Sequence, residues 1–137
     1  MKKMGIDVGS KTIGVALSDA FVWTAHGLTT IKWSDKDFST ADQEIAKIIK
    51  EQDITEIVVG LPKHMNGSIG ERGEISKNYA SYLSNKFNVK TILWDERLST
   101  VAAERVLLEA DVSRSKRKEV IDKMAAVMIL QGFLDAQ

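Results

Sequence analysis

The chain reads as an α/β domain on a mixed five-stranded sheet: three antiparallel strands come first, then parallel strands reached through crossover helices. Three observations carry that reading. Met4–Val8 and Ile13–Ser18 are apolar runs separated by Gly9, Ser10, Lys11 and Thr12, the pattern of a hairpin. From Thr40 onward, segments with apolar residues at helical spacing alternate with short apolar strands. And 137 residues, 44% hydrophobic and 28% charged, suit one domain spanning 1–137 with a single core.

Taken in order, Leu28–Trp33 supplies a third strand after the hairpin. Thr40 with Gln43 fits a capping box, and Ile45, Ile48 and Ile49 mark the buried stripe of a first helix ending near Asp53. Ile57–Leu61 is a continuous apolar run ended by Gly60 and Pro62, as expected of a strand buried on both faces. Lys63–Gly73, with glycines at 67, 70 and 73, reads as a mobile loop at that strand's end. A second helix then carries Ile75, Tyr79, Tyr82, Leu83 and Phe87 inward, followed by the strand Lys90–Trp94. Ser99 or Thr100 caps a helix through Ala110. The last helix, 116–134, places Ile121, Met124, Ala125, Met128 and Ile129 at helical spacing.

Composition narrows the chemistry. The chain has no cysteine, hence no disulfides and no thiolate metal site, and two histidines make a His-rich zinc centre improbable. Neither a signal peptide nor a membrane span is legible, so a cytoplasmic location is expected. With 19 basic and 19 acidic side chains the net charge is zero, so any attraction for a polyanion must be local. Arg114, Lys116, Arg117 and Lys118 form one such cluster, which could grip phosphates or be a solvated lead-in to the last helix; Lys63 and Arg72 form another.

Carboxylates recur where chemistry is expected. Asp7 lies on the first strand, Asp95 and Glu96 at the carboxyl end of the last strand, and Asp122 at the edge of the final helix's apolar stripe. Ligands of open sheets bind outside the carboxyl ends of parallel strands. Carboxylates gathered there repel unless cations neutralise them, and oxygen-only donors favour Mg²⁺ or Mn²⁺.

Six segments together resemble one family: Gly5-Ile-Asp7-Val-Gly9 with Gly14-Val-Ala-Leu-Ser-Asp19, Val59-Gly-Leu-Pro62, Met65-Asn-Gly-Ser68, Trp94-Asp-Glu-Arg-Leu-Ser-Thr100, and Ile121-Asp122 with Ala125-Ala126. The chain is identified by them as similar to the YqgF/RuvX family, described as Holliday junction resolvases and as pre-16S rRNA nucleases, within the RNase H-like fold. Asn66 and Lys63 depart slightly from the family pattern. The resemblance implies a nuclease hydrolysing phosphodiesters with two metal ions, Mg²⁺ or Mn²⁺, held by Asp7, Glu96 and Asp122. Glu96 is preferred to Asp95, the fallback, because adjacent strand residues point to opposite faces. Ser10, Lys11, Thr12 and Arg97 become candidate phosphate contacts beside Lys63, Arg72 and the 114–118 cluster. Precursor 16S rRNA ranks first as substrate and branched DNA second, the latter favouring a homodimer.

Three other readings bear on function. Asp7-x-Gly9 and a glycine-containing hairpin also open sugar kinases and actin-like ATPases, but those need two such domains. A catalytically silent RNA-binding or ribosome-assembly module is disfavoured by the intact carboxylates. Trp23, Trp33 and Trp94 could stack on bases but are expected to be core or rim packing, and His64 could shuttle a proton but is expected to be a surface residue.

Overall fold

The computed structural model describes residues 2–98 and 114–137, with side chains from 121 in the second segment. Its five strands are β1 (Lys2–Val8), β2 (Thr12–Ser18), β3 (Ala25–Lys32), β4 (Ile54–Leu61) and β5 (Lys90–Asp95). Three helices accompany them: α1 (Asp42–Glu51), α2 (Glu71–Phe87) and α3 (Arg114–Asp135). The sheet order is β3-β2-β1-β4-β5. β1 pairs antiparallel with β2 and β2 with β3, whereas β4 is parallel to both β1 and β5. This is the mixed sheet the sequence predicts.

Strand alternation divides the core between two faces. Met4, Ile6 and Val8 of β1, Ile45 of α1 and Tyr79 and Leu83 of α2 belong to one buried cluster. Ala16 of β2 and Val58 of β4 join Ala126, Ile129, Leu130 and Phe133 of α3 in the other. The sheet is therefore sandwiched, with α1 and α2 below and α3 above.

Several boundaries differ from the sequence reading. The third strand starts at Ala25, because His26 and Ala25 pair with Leu17 and Ser18; a bulge between Val15 and Ala16 hides that pairing from a simple alternation count. Thr40 and Gln43 form no capping box. Thr40 Oγ1 donates to Asp37 O at 2.8 Å, and Asp37 caps a 3-10 turn, Phe38–Ala41, that delivers the chain into α1. The 63–73 loop is shorter than expected, since α2 begins at Glu71 and takes in Arg72 and Gly73. α3 starts at Arg114, two residues before the expected start at 116, so the backbone of the basic run 114–118 forms its first turns. The helix expected from Ser99 or Thr100 to Ala110 lies outside the described residues.

Candidate active site

Glycine decides where the carboxylates come together. Asp7 shares the upper face of β1 with Gly5, and it pairs with Gly14 of β2. On its other side Ile6 pairs with Val59, which sets Gly60 of β4 next to Asp7. Cβ atoms built at these glycines would strike the helix above: 2.6 Å from Leu130 Cβ at Gly5, 1.9 Å from the Asp122 carbonyl oxygen at Gly14, and 2.4 Å from Ile129 Cδ1 at Gly60. Bare backbone on three neighbouring strands lets α3 lie against the sheet. Asp122 is thereby set over Gly14, one strand from Asp7.

Glu96 arrives from the opposite side. β5 ends at Asp95 and the chain turns into a short 3-10 segment, Glu96–Leu98. Glu96 Oε1 is buried and would be 3.3 Å from a Cβ on Gly60. Gly14, Asp7 and Gly60 thus form a row across three strands, with Asp122 above one end and Glu96 above the other. Asp7 and Asp122 are each 7% exposed. Among the described residues, no three acidic or histidine side chains converge tightly enough to hold one ion, so the carboxylates stand in a row rather than around a point.

Asp95 is engaged elsewhere. Its carboxylate accepts from Arg97 Nη2 at 2.8 Å and from Arg97 Nε, and Lys63 Nζ lies 3.8 Å away. Hydrogen bonding from Arg97 is the main reason its carboxyl lies below the usual carboxylate range. Arg97 also donates to the carbonyls of His64 and Met65 at 3.4 Å, strapping the 62–70 loop to the end of β5.

The candidate phosphate contacts separate into two sets. Ser10 and Lys11 are exposed at the β1–β2 turn, which is closed by Gly9 N–H donating to Thr12 O at 2.9 Å. Thr12 is instead buried and donates its hydroxyl to Asp122 Oδ2. Arg72, carried on α2, bonds Asp35 Oδ2 at 2.7 Å and Val8 O at 3.0 Å, fixing the end of β1 next to Asp7. Lys63, His64 and Arg72 line a cleft at the start of α2. The side chains of Arg114, Lys116, Arg117 and Lys118 lie outside the description, though their backbone forms the first turns of α3.

Sequence reasoning missed Thr12 as a partner of Asp122. A β-branched hydroxyl one residue before a buried strand position was the available signal. It also misplaced Trp23. Trp33 is buried and Trp94 packs edge-on against Phe133, but Trp23 is 74% exposed.

A mixed sheet in the order β3-β2-β1-β4-β5, with helices on both faces, is the RNase H-like architecture. Solved structures share it: Thermus thermophilus RuvC in complex with a Holliday junction substrate aligns with a TM-score of 0.65 at 10% identity, covering 99% of this chain and 94% of that one. The fowlpox virus Holliday junction resolvase aligns at 0.54 and 14%, covering 99% of both chains. At such identities the likeness establishes the fold. The chain belongs to the RuvX family, described as Holliday junction resolvase, which it matches over residues 1–136. An Oceanobacillus iheyensis relative named "Putative pre-16S rRNA nuclease" is 65% identical over 98% of both chains. A Shouchella clausii relative of the same name is 57% identical over 100% of this chain and 96% of its own. Membership makes this chain a nuclease that hydrolyses phosphodiester bonds.

Proposed function

We propose that the chain is a metal-dependent endonuclease that trims the 5′ end of precursor 16S rRNA, with Asp7, Glu96 and Asp122 as its ion ligands. The row Gly14–Asp7–Gly60, flanked by Asp122 and Glu96, is the observation that supports this reading. The donors are all hard oxygens, and two of them, Asp7 on β1 and Asp122 on α3, are buried carboxylates, whose desolvated charge divalent cations would neutralise. Mg²⁺ or Mn²⁺ held there would activate water and stabilise a leaving oxygen.

The chain's own residues supply position. Thr12 orients the Asp122 carboxylate by its hydrogen bond. Arg72 anchors the Val8 carbonyl and so the end of β1. Ser10 and Lys11, exposed at the turn that follows Asp7, would meet a phosphate. A cytoplasmic location suits such a substrate, and among the described residues no helix is long and apolar enough to cross a membrane.

Cleavage of a precursor rRNA 5′ segment and of a four-way DNA junction, each with Mg²⁺, Mn²⁺ or chelator, tests the reading. Chelator-sensitive RNA cleavage is expected, lost in Asp7→Asn, Glu96→Gln and Asp122→Asn while the circular dichroism stays native. Full activity in Asp7→Asn refutes the ligand assignment. Preferential cutting of the junction, by a dimer, would move the substrate to branched DNA, the activity by which the family is described.

A further inference from the structure

The loop between β2 and β3 holds two large aromatic side chains in solvent. Phe21 is 75% and Trp23 74% exposed, with ring centroids 5.9 Å apart and planes inclined by 38°. Between them Val22 has φ +61°, a left-handed conformation that strains a β-branched residue. A dense set of bonds imposes it. The Asp19 carboxylate accepts from Trp23 N–H at 2.8 Å and Thr24 N–H at 3.3 Å, and Val22 N–H donates to Asp19 O at 3.0 Å. Gln131 of α3 donates to Trp23 O at 3.1 Å and accepts from Ala25 N–H at 2.9 Å. Val22 turns inward onto the α3 cluster, so its neighbours on either side turn outward. Strain held in place this firmly is characteristic of binding loops.

We propose that Phe21 and Trp23 form a platform on which unpaired bases of a single-stranded RNA extension stack, while its other end occupies the active site. The inference rests on the nuclease reading above. Aromatic faces accept any base, which suits a site without sequence preference. The loop's own charge is Asp19, whose carboxyl is held below the usual range chiefly by the Trp23 N–H; an anion there disfavours phosphate and leaves the rings to the bases. The cation lies further along. Lys123 follows Asp122 directly, and its stem crosses β3, where a Cβ on Gly27 would be 2.7 Å from Lys123 Cγ. It therefore stands on the path from the carboxylates to the rings. β2 runs from Thr12 at the site to Ser18 at the loop, about 20 Å, a span of several nucleotides and within the range of single-strand binding grooves.

Trp23 is its own reporter, because Trp33 is 7% exposed and Trp94 is partly buried. In the Asp7→Asn background, an RNA duplex with a single-stranded tail of about ten nucleotides is titrated beside the same duplex without a tail. The tailed RNA should bind more tightly and quench Trp23 emission. The double variant Phe21→Ala, Trp23→Ala should lose about 5- to 150-fold in affinity for tailed RNA per stacked base, with blunt-duplex affinity unchanged. If the double variant keeps the tail's advantage, or the Asp7→Asn protein with both rings intact shows none, the platform is refuted and the nuclease reading stands. If neither RNA binds the Asp7→Asn protein with both rings intact, both fail. A dimer that dissociates in the double variant, with RNA affinity unchanged, would make the rings a contact between copies and overturn the proposal.

Discussion

Replacing Gly14 by alanine puts a methyl group where the Asp122 backbone already lies. The new Cβ would be 1.9 Å from the Asp122 carbonyl oxygen and 2.4 Å from its carbon, against the 3.0 Å that real contacts respect. Backbone cannot rotate away as a side-chain tip can, so α3 must retreat by at least about 1 Å. Overpacking of this kind costs about 1–3 kcal/mol, only partly offset by the roughly 0.4–1 kcal/mol that alanine gains by restricting the unfolded chain. The net loss of up to about 2.5 kcal/mol corresponds to a fall in Tm of up to roughly 10 °C for a domain of this size. The same retreat lifts Asp122 from Asp7, and a misplacement of about 1 Å costs on the order of 100-fold in rate. Gly60→Ala is the control: its Cβ meets Ile129 Cδ1 at 2.4 Å, a side-chain end that can change rotamer, so the loss should stay near 1 kcal/mol. Differential scanning calorimetry and chelator-sensitive RNA cleavage read both quantities. Equal stability and activity of Gly14→Ala and wild type, or greater destabilisation by Gly60→Ala, would refute the view that bare backbone at Gly14 positions Asp122.

Asp95 should prove structural: Asp95→Asn is expected to retain cleavage while loosening the 62–70 loop, seen as faster amide exchange at His64 and Met65. Because its folded carboxyl is depressed, its contribution is complete above the ordinary aspartate value and fades as pH falls through the folded one, so wild-type and Asp95→Asn melting temperatures should converge only below about pH 4. Neutralising Arg114, Lys116, Arg117 and Lys118 together should reduce the salt dependence of RNA binding by about one slope unit per lost phosphate contact, with cleavage at saturating RNA little changed; an unaltered slope removes α3's start from the interface.

Much of the fold was legible because its elements declare themselves locally. β4 reads as a doubly buried strand since every residue from Ile57 to Leu61 is apolar or glycine, and all five are buried. Asp122 falls on the apolar side of its helix by spacing alone, in line with Ala126 and Phe133, and is indeed buried. Boundaries set by non-local contacts were not legible. Gly73 belongs to α2 because the helix packs on the Pro62 carbonyl, 2.8 Å from where its Cβ would be, and glycine spacing by itself suggested a longer loop. Thr40 was read as a helix cap on its neighbours' identity, yet Asp37 and Ser34 claim its hydroxyl.

The sequence by itself determined the strand and helix order, the family and the acidic residues in question, because periodicity, glycine placement and short motifs are properties of neighbours along the chain. That Asp95 and Glu96 point apart was also expected from it: Glu96 lies over Gly60 and Asp95 bonds Arg97, while the role of Glu96 as an ion ligand remains the proposal made above. Tertiary structure decided which glycines matter and what the polar groups do. Gly5, Gly14 and Gly60 are far apart in sequence and adjacent only across the sheet, where they admit α3. The union of Thr12 with Asp122, 110 residues apart, and the outward turn of Phe21 and Trp23 likewise depend on contacts between distant segments, which no local pattern encodes.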